Sequence, residues 1–200
     1  MSPRTSRARA GLTMLEALIA TSVVGLVLGN VAMMMRSSSS AYDGESAKAQ
    51  VELQLDQTLD RIVLALMGAS TDSLDPNSSN PAFHDRLEFQ QSLGFNNGEL
   101  MFGAPERIEL VLAAGEVIWK EKPDEPDERS VTWSRWVARF LEGEVQNGID
   151  DNGNGLIDES GLTFVIEASQ VTVHLTMERV DNDGTRSIYS RDAVIHCRNN

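Results

Sequence analysis

The sequence is poor in cysteine and in positive charge. Its 200 residues include a single cysteine, Cys197, which excludes an internal disulfide and any zinc or iron–sulfur site built from several cysteines. Lys and Arg number 17 against 30 Asp and Glu, giving a net charge of −13. A nucleic-acid partner requires clustered basic side chains to neutralise phosphates, so the composition argues against one. The hydrophobic fraction of 41% is ordinary for a chain that buries a core.

The motifs of the common catalytic sites are also missing. The sequence contains no G-x-S-x-G, no H-E-x-x-H and no phosphate-binding loop. His196 and Cys197 are neighbours, and neighbouring residues of a strand point to opposite faces, so they cannot act together as base and nucleophile. His174 lies within a predicted strand, where a packed or surface histidine is commoner than a ligand. We therefore predict no catalytic residue and no enzyme activity.

The first 35 residues carry the pattern of a membrane anchor. Residues 1–11 hold three arginines and no acid, and residues 12–35 form a run of 24 residues whose only charge is Glu16. A helix of that length spans roughly 36 Å, enough to cross a bilayer. The positive-inside rule places the N-terminus in the cytoplasm and the acidic remainder outside. A cleaved secretory signal is the alternative, with a small-residue site near Ser22, but the apolar run continues beyond it.

The junction of the basic leader and the apolar run resembles a known processing site. The segment Gly11-Leu12-Thr13-Met14-Leu15-Glu16-Ala17 is similar to that of type IV prepilins and type II secretion pseudopilins. The resemblance implies that residues 1–11 are a leader, that prepilin peptidase cuts after Gly11, and that the new N-terminus at Leu12 is methylated. It also implies that Glu16 serves subunit assembly by pairing with the N-terminal amine of a neighbouring subunit.

Elementary electrostatics singles out Glu16 without reference to any family. A carboxylate inside an apolar membrane helix costs on the order of 2.5–3.5 kcal/mol at the bilayer centre and less near its edge. Such a group is therefore expected to have a partner. The alternative is a side chain that reaches the headgroup region by itself.

A second helical pattern follows the apolar run. Residues 36–69 contain apolar side chains at spacings of three and four, from Val51 to Leu66, with charged residues between them. Gly68 and a turn-rich segment are expected to end this amphipathic helix. Together with residues 12–35 it forms one long stem to about Met67, which resembles the first helix of a pilin.

Residues 70–200 are predicted to form a β-rich head. Residues 107–112 and 116–119 flank a short turn as a hairpin, and further strands are expected at 162–167, 170–178 and 186–195. We predict an α+β, pilin-like fold with one antiparallel sheet on the outer half of the stem. The acidic, proline-containing residues 121–130 are expected to interrupt the sheet as a solvated insertion. The strand pattern from Leu162 to Asn199 resembles the tail of J-type minor pseudopilins and W-type minor pilins.

One segment of the head has the spacing of a calcium loop. Within residues 147–159, Asp150, Asn152 and Asn154 stand at alternate positions and Gly155 follows, as in the first half of a D-x-[DN]-x-[DN]-G loop. The carbonyl of Leu156 takes the next ligand position. The twelfth position is Gly161 instead of glutamate, so Asp158 or Glu159 would have to close the shell around Ca²⁺. The alternative is an Asn/Gly-rich turn without metal.

The resemblance implies a minor pilin or pseudopilin, a structural subunit of a type II secretion pseudopilus or of a type IV pilus tip or initiation complex. The expected partners are prepilin peptidase, other pilin-like subunits, the inner-membrane assembly platform and the membrane itself. The expected location is a bacterial inner membrane, crossed once, with the head in the periplasm. The alternative is a single-span, membrane-anchored periplasmic protein that binds calcium or another ligand and does not enter a filament.

Overall fold

The computed structural model describes residues 13–77, 82–181 and 184–197. The predicted leader, with Gly11 and Leu12, and Asn199 near the end of the chain lie outside the described residues. The chain divides into two compact parts, one ending at Glu45 and one beginning at Ser46. One long helix and antiparallel sheets give an α+β layout.

Helix α1 (Met14–Met67) is 54 residues long. It ends one residue before Gly68, as the sequence predicted, and close contact with another segment explains why. A Cβ at Gly68 would lie 2.0 Å from Oε1 of Gln91, and the Gln91 amide donates a hydrogen bond to the carbonyl of Ala65 (2.7 Å). The side chain of Gln91 thus satisfies one of the carbonyls left free at the helix end.

From Ser46 onward, α1 contributes one buried stripe to the hydrophobic core. The predicted stripe residues are buried and belong to the same apolar cluster as the strands: Val51, Leu55, Leu59, Ile62 and Leu66. Leu53 and Leu64, on the other side of the helix, are exposed. The amphipathic pattern is therefore confirmed.

Seven strands form two antiparallel meanders, where a single sheet was predicted. The four-stranded sheet consists of β1 (Arg86–Asn96), β2 (Glu99–Val111), β3 (Glu116–Glu121) and β4 (Arg129–Ser134). The three-stranded sheet consists of β5 (Leu162–Glu167), β6 (Gln170–Val180) and β7 (Arg186–His196). Residues 135–161 separate the two meanders in the chain. A pair of backbone hydrogen bonds between His84 and Phe164 joins them.

The predicted strands are present, and two further strands were missed. The hairpin at residues 107–119 forms the end of β2 and most of β3, with Leu110 opposite Val117. The bounds of β5 are those predicted, whereas β6 and β7 extend slightly further than expected. Strand β1 was missed because only Leu87 and Phe89 are buried in it, so its apolar alternation is short. Strand β4 was missed because its first residues were assigned to the acidic insertion.

Residues 121–130 do not interrupt the sheet as predicted, since β3 ends at Glu121 and β4 begins at Arg129, but the expected solvated loop lies between these strands, with residues 124–127 exposed. Residues 122–128 connect β3 to β4, and their middle is tied to the sheet by Arg107. The guanidinium of Arg107 donates to Asp124 (2.5 and 3.3 Å) and to Glu88 (2.8 Å). The hydrogen bond from Arg107 holds the pKa of Asp124 below its ordinary value.

The buried stripe of α1 predicts a large difference between two leucines that lie two residues apart. Leu55→Ala, at a fully buried position, should lower the free energy of unfolding by about 2–5 kcal/mol because it leaves a cavity. Leu53→Ala, at a side chain that is 58% exposed, should change it by less than about 0.5 kcal/mol. Denaturant unfolding of the full chain in detergent measures both. Equal effects would contradict the assignment of the buried face.

Candidate functional site

Glu16 lies in the first turn of α1, where it forms a capping box with Thr13. The backbone N–H and the hydroxyl of Thr13 both donate to Oε2 of Glu16 (2.9 Å each). The N–H of Glu16 donates to the hydroxyl oxygen of Thr13 (3.3 Å). These reciprocal bonds satisfy donors that the start of a helix otherwise leaves free. The T-x-x-E spacing of Thr13 and Glu16 is the sequence signature of this arrangement, which was not among the predicted features.

The capping box satisfies hydrogen bonds of Glu16 without compensating its charge. Both donors belong to Thr13 and are neutral. The ion pairs between described residues do not include Glu16, whose side chain is exposed. A carboxylate at this position therefore retains a negative charge available to a cation outside the described chain.

The rest of the apolar segment satisfies its polar side chains within the helix. The hydroxyl of Thr21 donates to the carbonyl of Ala17 (3.0 Å), that of Ser22 donates to Leu18 (2.8 Å), and the amide of Asn30 donates to Leu26 (3.0 Å). A membrane interior offers no water to polar groups, so bonds of this kind are what a spanning helix requires. Helix α1 contains a segment that is long and apolar enough to cross a membrane.

The second candidate region is the long connection between β4 and β5. Residues 135–161 contain no helix and no strand beyond isolated bridges, and structureless connections of this length usually have a function or lack order. Thr176 of β6 anchors the base of the connection: its carbonyl accepts from Ala138 (2.9 Å), its N–H donates to Gly161 (2.7 Å), and its hydroxyl accepts from the N–H of Glu142 (3.1 Å). We call residues 144–159 of this connection the Asp/Asn loop.

The three predicted side-chain ligands turn into the Asp/Asn loop in succession. Asp150 accepts from the N–H groups of Gly153 (2.6 Å) and Gly155 (2.8 Å). Oδ1 of Asn152 accepts from Asn154 (2.9 Å), and Oδ1 of Asn154 accepts from Leu156 (2.8 Å). Gly155 has a φ of +91°, which glycine adopts without strain. The tight turn predicted at this glycine is confirmed.

Asp158 and Glu159, the two residues expected to close the loop, lie in different surroundings. The carboxylate of Asp158 crosses the neck of the loop and accepts from the N–H groups of Asn147 (2.8 Å) and Gly148 (2.9 and 3.1 Å). The side chain of Glu159 is fully buried, and its Oε1 accepts from the side-chain amide of Asn154 (2.6 Å). Glu159 is therefore the one of the two that contacts a predicted ligand.

Glu144 also belongs to this region, although it was not among the predicted site residues. It is 6% exposed, and its Oε1 accepts from the N–H groups of Asp151 (3.1 Å) and Asn152 (2.9 Å). The second carboxylate oxygens of Glu144 and Glu159 are buried without a hydrogen-bond partner. No residue pattern marks Glu144, because its position depends on the loop folding back over it.

Within residues 13–77, 82–181 and 184–197, no three His, Cys, Asp or Glu side chains are close enough together to hold a metal ion. No acidic side chain of the Asp/Asn loop forms an ion pair with another described residue. His174 pairs across the strands with Asp192 (Nδ1 to Oδ1, 2.7 Å). Cys197 is buried, and burial raises the pKa of its thiol, which disfavours the reactive thiolate.

No family model, curated protein or solved structure matches the chain.

The neck of the Asp/Asn loop gives a prediction for Asp158. Asp158→Gly removes the acceptor of two N–H groups, and glycine tolerates the φ of +54° at this position. Hydrogen exchange at Asn147 and Gly148 should accelerate by about tenfold or more, since bonds to a charged acceptor contribute roughly 1.5–3 kcal/mol. Exchange at Leu110, in the core of β2, is the control and should not change. Unaltered exchange at Asn147 and Gly148 would contradict the role of Asp158.

Proposed function

We propose that the protein is a minor pilin-like subunit of a type II secretion pseudopilus or of a type IV pilus tip or initiation complex. The observation that carries the proposal is Glu16, the only charged residue of the membrane-length segment 12–35. It follows the Gly11–Leu12 junction, which resembles a prepilin peptidase site. Its hydrogen bonds to Thr13 leave its charge uncompensated.

The charge of Glu16 provides a reason for assembly. A carboxylate in a membrane helix costs on the order of 2.5–3.5 kcal/mol when it has no partner, and neutral donors recover only part of that energy. Cleavage after Gly11 would create an amine at Leu12. The amine of one subunit and the carboxylate of the next would then compensate each other.

The apolar surface of the segment supports the same proposal. The large apolar side chains from Met14 to Met35 are exposed, so they require lipid or other helices around them. Gly25 and Gly29 stand four residues apart, and a Cβ at either would meet no atom within 4 Å. Small residues at this spacing permit helices to approach closely in a membrane.

Each part of the chain would have its own location in such an assembly. The arginine-rich leader would keep the N-terminus in the cytoplasm, where prepilin peptidase removes it. The stem would then pack against other pilin-like stems at the inner-membrane assembly platform. The head would contact other subunits in the periplasm.

A second candidate function is a single-span, membrane-anchored periplasmic protein that binds calcium or another ligand outside any filament. The capping box favours it, because Thr13 already gives Glu16 hydrogen bonds within its own chain. In that case Glu16 stabilises the helix start and has no role between subunits.

Two matched variants distinguish these roles of Glu16. Glu16→Gln preserves a capping box, which accepts Glu or Gln at this position, but removes the charge. Thr13→Ala removes the cap and keeps the charge. If the charge pairs with a neighbour's amine, Glu16→Gln should impair assembly and Thr13→Ala should not.

Cysteine crosslinking of stems in native membranes measures assembly. Leu26→Cys places a thiol in the apolar segment at a side chain that is 68% exposed, whereas the native Cys197 is buried and serves as the background control. We expect adducts with other pilin-like chains, reduced at least tenfold by Glu16→Gln, which corresponds to about 1.4 kcal/mol. Absence of adducts would favour the second candidate, and a larger loss with Thr13→Ala would show that capping is the role of Glu16.

A further inference from the structure

We propose that the Asp/Asn loop binds Ca²⁺ and that Glu144, which lies before the sequence motif, is one of its ligands together with Glu159. The proposal does not depend on assembly into a filament. Its basis is the pair of buried carboxylates that face the loop.

The side chains of Glu144 and Glu159 are 6% and 0% exposed, and one oxygen of each has no hydrogen-bond partner. Burying an ionised carboxylate is expensive unless a cation or hydrogen bonds compensate it. The first oxygen of each carboxylate accepts hydrogen bonds, but the second accepts none, so a cation beside the two second oxygens would complete the compensation. Among the described residues, no ion pair joins Glu144 or Glu159 to a lysine or an arginine.

Both carboxylates are held inside the loop by their first oxygens. Oε1 of Glu144 accepts from the N–H groups of Asp151 and Asn152. Oε1 of Glu159 accepts from the side chain of Asn154. Because the two oxygens of a carboxylate share one carbon, the unpartnered Oε2 atoms lie beside the same segment as the predicted ligands.

The remaining ligands are those of the motif: Asp150, Asn152, Asn154 and the carbonyl of Leu156. With the two glutamates they offer six oxygen groups, the number and type that Ca²⁺ takes in proteins. Side-chain oxygens that accept one hydrogen bond retain a further lone pair for an ion. Asp158 is left to hold the neck of the loop, where it accepts from Asn147 and Gly148.

The charge of the segment favours a divalent cation. Residues 141–161 contain six acidic side chains and no Lys or Arg: Glu142, Glu144, Asp150, Asp151, Asp158 and Glu159. Their mutual repulsion is relieved by a bound cation. Since no three acidic side chains of the described residues form a ready metal cluster, binding must draw Glu144, Asp150 and Glu159 closer together.

Calcium titration of the full chain in detergent tests the site. We expect a dissociation constant on the order of 10⁻⁴–10⁻³ M, as in extracellular calcium modules, measured by isothermal titration calorimetry. Millimolar Ca²⁺ should also raise the melting temperature relative to the chelator-treated protein, because a ligand of the native state stabilises it. Mg²⁺ should have a smaller effect, since it requires a tighter octahedral shell.

Glu144→Gln and Glu159→Gln separate metal binding from a structural role. Each removes charge but preserves the size of the side chain and a carbonyl acceptor. With chelator, both variants should melt at or above the temperature of the unaltered protein, because a buried charge without a counterion is gone. Both variants should bind Ca²⁺ at least about tenfold more weakly, because each loses one charged ligand or a side chain that orients a ligand.

Glu125→Gln is the matched control, an identical change at an exposed acid between β3 and β4, and it should leave calcium binding unchanged. The proposal is overturned if Ca²⁺ produces neither heat nor a shift in melting temperature. It is also overturned for Glu144 if Glu144→Gln binds Ca²⁺ as tightly as the control.

Discussion

The packing of the α1 stripe against the strands is the interaction on which the globular part depends. Leu55, Ile62 and Leu66 are fully buried and share one apolar cluster with residues of both sheets. Burial of a leucine or isoleucine side chain contributes roughly 1.5–3 kcal/mol, and two meanders of three and four strands would otherwise each expose an apolar face. The helix therefore supplies the surface that both sheets cover.

The same helix meets a different physical requirement before Glu45. There, the large apolar side chains from Met14 to Met35 are exposed, and Thr21 and Ser22 donate hydrogen bonds to carbonyls of their own helix. The first part of the helix thus has a surface suited to a hydrocarbon environment, and the part that follows packs into a protein core. Glu16 is the exception, since hydrogen bonds from Thr13 leave its charge without a counterion, and the proposed function follows from that exception.

Local patterns predicted the elements with strong periodicity. The three- and four-residue spacing from Val51 to Leu66 gave the buried face of α1, and the apolar run of β5 gave its bounds. Strand β1 escaped prediction because its alternation covers only Leu87 and Phe89. The division into two sheets depends on the course of residues 135–161, which no short-range pattern encodes.

The residues of the candidate sites likewise differ in whether a local sequence pattern predicts them. Asp150, Asn152 and Asn154 were predicted from their spacing, and their side-chain oxygens accept hydrogen bonds from N–H groups of the same loop. Glu144 could not be found so, because its contacts with Asp151 and Asn152 arise from the folded path of the loop. The capping partner of Glu16 is visible in the sequence as T-x-x-E, because a capping box depends only on residues three positions apart.

The N-terminal residue of the mature protein tests the central claim most directly. Intact-mass measurement of the protein extracted from membranes identifies it without any variant. A pilin-like subunit predicts a chain that begins at Leu12, with a methylated amine, so that the arginine leader is gone and Glu16 lies in the first turn. A mature chain that begins near Val23, as ordinary signal cleavage would leave it, would remove Glu16 and contradict the account.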